Sequence, residues 1–175
     1  MKRTQREEEE FAAFAEAAWA PLYRRALLLL GDYGQAEDLT QTALAKAYVH
    51  WRRLRSPDAA FGYTKAIMLN EARALWRQAS WGREWPTADL PDGRVSDDPA
   101  LRPAVLDALR ELAPRQRAAI VLRYYEDLTV EQTARALGCA VGTVKSQTSD
   151  ALAKLRLLLG DPALEDATSE GQRHD

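Results

Sequence analysis

Apolar positions along this chain recur three and four residues apart in two blocks, and the stretch between the blocks shows almost no such period. That spacing belongs to a helix face, while the alternating β-branched runs that would mark strands are missing. The first block predicts about four helices: Glu8 to about Leu30, Gln35 to about Arg53, Ala59 to about Trp76, and a short basic stretch around Gln78 to Trp85. Gly31-Asp32-Tyr33-Gly34 and Ser56-Pro57-Asp58 supply the breaks. The second block predicts Ala104 to about Leu112, Pro114 to about Tyr125, Thr129 to Leu137, and Val141 to about Leu159. Residues 86–103 hold four of the eight prolines, four Asp and Gly93, the composition of an extended linker. The expected fold is therefore all-α: two small helical domains over 1–85 and 104–160, joined by the 86–103 linker and followed by an acidic flexible tail over 161–175.

A chain of 175 residues with 46% hydrophobic content can fill one moderate core or two small ones. Its net charge of −2 excludes a uniformly basic surface, so any contact with nucleic acid must come from local patches. Residues 1–85 and 104–160 each carry a net +2, and the acidic surplus sits in the linker and the tail. The lone Cys139 rules out an internal disulfide, and with His50 and His174 far apart no usual four-ligand zinc site is available, so no metal or cofactor is expected. The apolar run Ala26–Leu30 is far short of the ~20 residues that cross a bilayer. Glu7–Glu10 occupy the place where a signal peptide would be apolar. A cytoplasmic protein without membrane insertion is expected. No Gly-rich phosphate loop, nucleophile–base pairing or metal spacing suggests an enzyme.

In the second block Thr129-Val130-Glu131-Gln132 has the form of a capping box. The helix it opens carries Val130, Ala134 and Leu137 on one face and stops at Gly138, which can adopt the left-handed conformation that closes a helix. After a short turn a second helix opens with Val141 and Val144, and later Ala151-Leu152, on one face. The pair reads as a helix-turn-helix, whose second helix presents its first residues to base edges in the major groove. The outward candidates are Gly142, Thr143, Lys145, Ser146, Gln147 and Ser149, with Gln147 able to pair bidentately with adenine. A helical hairpin that only packs is the alternative on spacing alone.

In the first block Gln35-Ala36-Glu37-Asp38-Leu39-Thr40-Gln41 sets Asp38 and Gln41 three residues apart, opposite an apolar face of Leu39, Ala43 and Ala47. The outer face is free to bind a partner, although first-turn acids also stabilise a helix N-terminus without any partner. Further on, Tyr63, Arg73, Trp76-Arg77 and Trp81-Gly82-Arg83-Glu84-Trp85 interleave aromatic rings with arginines. Such a pattern can stack unpaired bases and hold the phosphates between them, or it can be core, as Trp76 equally suggests.

Two stretches resemble the extracytoplasmic-function sigma factors of the sigma-70 family, in particular an actinobacterial sigma-E-like group. The first is Ala36-Glu37-Asp38-Leu39-Thr40-Gln41 with Asn70, Arg73 and Arg77. The second runs from Leu112-Ala113-Pro114-Arg115-Gln116-Arg117 through Leu122-Arg123-Tyr124-Tyr125 and Leu128-Thr129 to Leu137-Gly138-Cys139-Ala140-Val141-Gly142-Thr143-Val144-Lys145-Ser146. The resemblance implies region 2 over residues 1–85 and region 4 over 104–160, with core RNA polymerase (β′ clamp and β flap) and promoter DNA as partners and an anti-sigma factor as a further candidate. It places Asp38 and Gln41 on polymerase. It assigns Asn70, Arg73, Arg77 and Arg83 to the melted minus-10 element, with a base pocket completed by a loop around Phe61, Gly62 and Tyr63. Arg115, Arg117, Thr143, Lys145, Ser146 and Gln147 would meet the minus-35 element. Departures are Glu71, where less acidic residues are usual, Ala140, where the family often has Ser, and Gln147 and Asp150, where it commonly has Arg. The acidic linker would thread between the two DNA-reading domains, or serve only as a tether. The rival function is a stand-alone helix-turn-helix regulator, which leaves Asp38, Gln41 and the Arg-Trp segment without a role.

Overall fold

The computed structural model describes residues 5–79 and 102–160. They form seven α-helices, with no strand among the described residues. The chain divides into two compact units, Met1–Trp85 and Pro86–Asp175. The linker up to Leu101, the tail from Asp161 and the stretch Ser80–Trp85 lie outside the described residues.

The first unit is a three-helix bundle of α1 (Gln5–Leu30), α2 (Tyr33–Val49) and α3 (Pro57–Ala79), each packed on the other two. Every residue from Ala26 to Leu30 is buried, so the end of α1 is enclosed on all sides. Each fully buried leucine of that run contributes about 1.5–3 kcal/mol. Gly31 ends the helix at φ 72°, and the Asp32 carboxylate then accepts from the Gln35 amide at 2.8 Å. That cap starts α2 at Tyr33, two residues before the hydrophobic period alone suggests. Ser56 does the same for α3: its hydroxyl accepts from the Ala59 amide at 3.1 Å, and Pro57 fits the first helical position, where its missing N–H costs nothing. A 3₁₀ turn, Trp51–Arg53, follows α2. Here Phe11 lies 4.7 Å from Tyr48 and 5.2 Å from Trp51 between ring centres, clipping α1 to the end of α2.

Two buried threonines resolve an apparent mismatch in this core. Thr40 and Thr64 are fully enclosed, and each donates its hydroxyl to the carbonyl four residues back, Ala36 and Ala60, at 2.7 Å. With the hydroxyl satisfied inside its own helix, the methyl can pack as an apolar group.

The second unit contains α4 (Pro103–Arg110), α5 (Pro114–Ile120), α6 (Val130–Leu137) and α7 (Val141–Leu159). α7 packs on the other three helices through Val144, Ala151 and Leu155. Between α5 and α6 the backbone widens to a π turn, Val121–Tyr125, closed by the Glu126 amide on the Val121 carbonyl at 3.0 Å. Arg123 braces the next loop by donating to the Leu128 carbonyl at 2.6 Å. Both halves of the expected capping box form: the Gln132 amide donates to the Thr129 hydroxyl at 3.1 Å, and the Thr129 amide donates to the Gln132 side chain at 2.8 Å. Gly138 closes α6 in the left-handed region, φ 65° and ψ 41°. α7 by contrast opens at Ala140 with no side-chain cap. Replacing Ala140 by Ser should therefore stabilise the second unit by about 1 kcal/mol. Urea denaturation followed by helical circular dichroism checks this, and an unchanged midpoint would show that the first turn of α7 needs no cap.

Candidate functional site

Burial sorts the expected contact residues by helix face. On α2, Leu39, Ala43 and Ala47 are buried while Asp38 and Gln41 are exposed on the other side. The Gln41 side-chain amide donates to the Glu37 carboxylate at 3.4 Å, a long bond on the exposed face.

α3 buries Ala60, Thr64, Met68, Ala72 and Trp76, one residue every fourth step. Trp76, at 9% exposure, is core and not a stacking platform. At ~100° per residue, Tyr63, Asn70 and Arg77 fall within about 40° of one another, and Arg73 stands beside them. Asn70 and Arg77 are exposed, Tyr63 and Arg73 half-buried. Phe61 sits elsewhere. Residues 61–63 belong to the helix and not to a preceding loop, so Phe61 lies about half a turn round from Asn70 and cannot complete a pocket with it. Tyr63 meets the His50 ring edge-on at 5.9 Å, whereas Phe61 carries the Arg25 guanidinium at 5.7 Å and the Lys65 ammonium at 5.9 Å from its ring centre. Arg83 lies outside the described residues.

The unusual Glu71 is accounted for by Lys46 of α2, whose ammonium lies 2.5 Å from its carboxylate. Neither Lys46 nor the Phe61 partners stand out in the sequence. The contacts of Lys46 and Arg25 depend on how separate helices register, which local periodicity does not encode.

On α7, Gly142, Lys145, Ser146 and Ser149 are exposed, while Thr143 and Gln147 are half-buried. The Ser146 hydroxyl donates to the Thr143 carbonyl at 3.1 Å, which orients it along the helix. Val141, expected inside with Val144, is instead 38% exposed, because it stands at the first helical position ahead of the packed turn. The Glu131 carboxyl is held below its usual range by its own backbone amide and the Thr129 hydroxyl, with Lys145 and Arg123 adding attraction.

Arg115 is exposed at the start of α5, but Arg117 is 5% exposed. Burial, and then the neighbouring charge of Arg110, push its pKa down to about 10. A guanidinium enclosed in its own domain cannot reach a phosphate, so Arg117 leaves the set of DNA contacts and belongs to the core.

A small bundle edged with arginines, joined to a helix-turn-helix unit, is the layout of a protein that reads nucleic acid at two sites. Residues 17–82 match the sigma-70 region 2 family and residues 102–155 match sigma-70 region 4. The RNA polymerase sigma-E factors of Streptomyces antibioticus and Streptomyces coelicolor are 41% and 39% identical over 150 residues, covering 84% of this chain and 83% and 84% of theirs. The ECF RNA polymerase sigma factor SigL of Mycobacterium tuberculosis is 36% identical over 166 residues, or 85% of this chain and 93% of that one. Among solved structures, the sigma factor RpoE of Bartonella quintana, crystallised with the anti-sigma factor NepR, aligns over 91% of this chain and 99% of its own with a TM-score of 0.57 at 25% identity. The chain belongs to the extracytoplasmic-function group of the sigma-70 family: it is a sigma factor, which binds core RNA polymerase and directs it to promoters at initiation.

The burial of Arg117 yields a test. Arg117→Met should leave the salt dependence of holoenzyme–promoter binding unchanged, because no phosphate contact is lost, while Arg115→Ala should lower the slope by about 0.9. A reduced slope in the Arg117 variant would return that residue to the interface.

Proposed function

We propose that the two units divide the work of initiation by residue as follows. Asp38 and Gln41 on α2 dock region 2 on the β′ clamp of core polymerase. Asn70, Arg73 and Arg77 on α3, with Tyr63 beside them, hold the melted minus-10 strand. Thr143, Lys145, Ser146 and Gln147 on α7, with Arg115 of α5, read the minus-35 element while region 4 rests on the β flap. The observation that carries this reading is the separation of faces in the first unit. α2 turns an acid and an amide outward, α3 turns an amide and arginines outward, and both bury what lies behind. One element is suited to a basic protein surface, the other to phosphates and unstacked bases.

The role is recognition without catalysis, exercised in the cytoplasm. Among the described residues no helix is long and apolar enough to cross a membrane, and no group of three His, Cys, Asp or Glu could hold a metal. The Bartonella relative in its anti-sigma complex supports an anti-sigma protein as a regulator here too. Region 4 should bind DNA weakly by itself, since Gln147 and the exposed Asp150 stand where cations would add phosphate contacts.

Asp38→Arg combined with Gln41→Ala should abolish core binding while melting temperature and helicity hold, because both side chains are exposed. Unchanged core affinity would remove the pair from the docking site. The division of labour as a whole is tested by titrating one promoter fragment with the chain, core polymerase, or both. The chain alone should bind near the nonspecific range of about 10⁻⁴ to 10⁻⁶ M, and specificity should arise only when polymerase tethers both reading units, a gain of about 10² to 10⁴. Tight, sequence-specific binding by the chain alone would instead favour an autonomous helix-turn-helix regulator.

A further inference from the structure

Buried threonines occur in both units, in opposite states. In the first unit Thr40 and Thr64 donate to the carbonyl four residues back. In the second, the hydroxyls of Thr133 on α6 and Thr148 on α7 are enclosed and make no hydrogen bond among the described residues. These two helices are the helix-turn-helix pair, and the rest of what they bury is thin. Thr133 and Ala134 are the only α6 residues in the buried core, and α7 buries just Val144, Ala151 and Leu155 while leaving Leu157 87% exposed. In the first unit α1 alone encloses Leu22 and all four leucines from Leu27 to Leu30. An enclosed hydroxyl without a partner lowers a folding equilibrium by about 5- to 150-fold. The uncapped start of α7 at Ala140 lowers it again.

We propose that region 4 is a conditional reading unit: the orphan hydroxyls of Thr133 and Thr148 make the second unit open separately from the first and ahead of it, so that promoter reading is lost while the docking face of α2 stays folded. The functional half rests on α7 as the promoter-reading helix, as given above; the order of opening does not. A small unit opens as a whole, and the short helices α4, α5 and α6 cannot persist once α7 leaves them. Whatever binds only the closed form, promoter DNA included, draws the unit shut by mass action. Its apparent affinity is scaled by the fraction of chains that are closed. Temperature alone then sets a threshold for minus-35 reading, without a ligand or a modification. The two hydroxyls are the cause to single out, because valine has the same branched shape and would fill either place with no polar group left unmet.

Urea titration of the full chain separates the two units by probe. All five tryptophans stand at or before residue 85, so their fluorescence follows the first unit, whereas helical circular dichroism follows both. Part of the dichroism should be lost at urea concentrations that leave the tryptophan signal unchanged. Thr133→Val and Thr148→Val should each move this early phase to higher urea, a gain of about 5- to 150-fold in its folding equilibrium, and leave the tryptophan transition where it was. Two separate variants keep the test open if one of them packs badly. At a temperature inside the early phase, holoenzyme carrying both valines should bind a promoter fragment more tightly than wild type, and at low temperature the two should be equal. A single transition common to both probes, or an early phase that neither valine raises, would overturn the proposal. An early phase raised by both valines with promoter affinity unmoved at every temperature would instead remove α7 from promoter reading and leave the order of opening standing.

Discussion

The constraint on which the first unit turns is that α3 must bury one narrow row. Ala60, Thr64, Met68, Ala72 and Trp76 go inward against α1 and α2, and a helix of this length has no freedom to rotate once they are placed. Everything α3 can offer to another molecule is what that row leaves over. The alternation of small and large members lets the neighbouring helices approach at Ala60 and Ala72 and be filled at Met68 and Trp76. Thr64 joins the row only because its hydroxyl is satisfied within the helix. A polar group without that internal partner would cost roughly 1–3 kcal/mol in the same place.

The second unit is governed differently. Its short helices, α4, α5 and α6, are eight residues or fewer, and a helix of that length is not stable alone in water. They hold because α7 presents Val144, Ala151 and Leu155 to them, and because their ends are stopped by caps and turns of fixed geometry. The same helix that organises this core carries the residues proposed to meet DNA, so stability and the proposed recognition share one element. Arg117 shows how closely the two uses lie: two residues along from the exposed Arg115, it is swallowed by the core.

Much of this is legible in the sequence, and the failures have a common origin. The helical fold class, the capping box at Thr129, the left-handed Gly138 and the outward faces of α2 and α7 follow from period and local chemistry, which act over a few residues; of the eight helices expected, seven α-helices are described, and the one expected around Gln78 to Trp85 falls partly on the end of α3 and otherwise outside the described residues. Helix starts shift by two residues where Asp32 and Ser56 cap earlier than the apolar period suggests. Phe61, Val141 and Arg117 are displaced from their expected places because each depends on where a helix begins or on what packs across from it. A motif match transfers residue identity faithfully, but it does not say which of two neighbouring arginines faces inward. The contacts absent from any sequence reading, Arg25 on Phe61 and Lys46 on Glu71, join residues far apart in the chain.

The Lys46–Glu71 bridge also restricts the routes by which this protein can change. Glu71 is next in sequence to Asn70 on the helix proposed to meet phosphates, and its carboxylate is offset by an ammonium from α2. Losing Glu71 would leave a cation near the proposed nucleic-acid face, whereas losing Lys46 would leave a bare carboxylate there, so the two positions are not equivalent in what they tolerate.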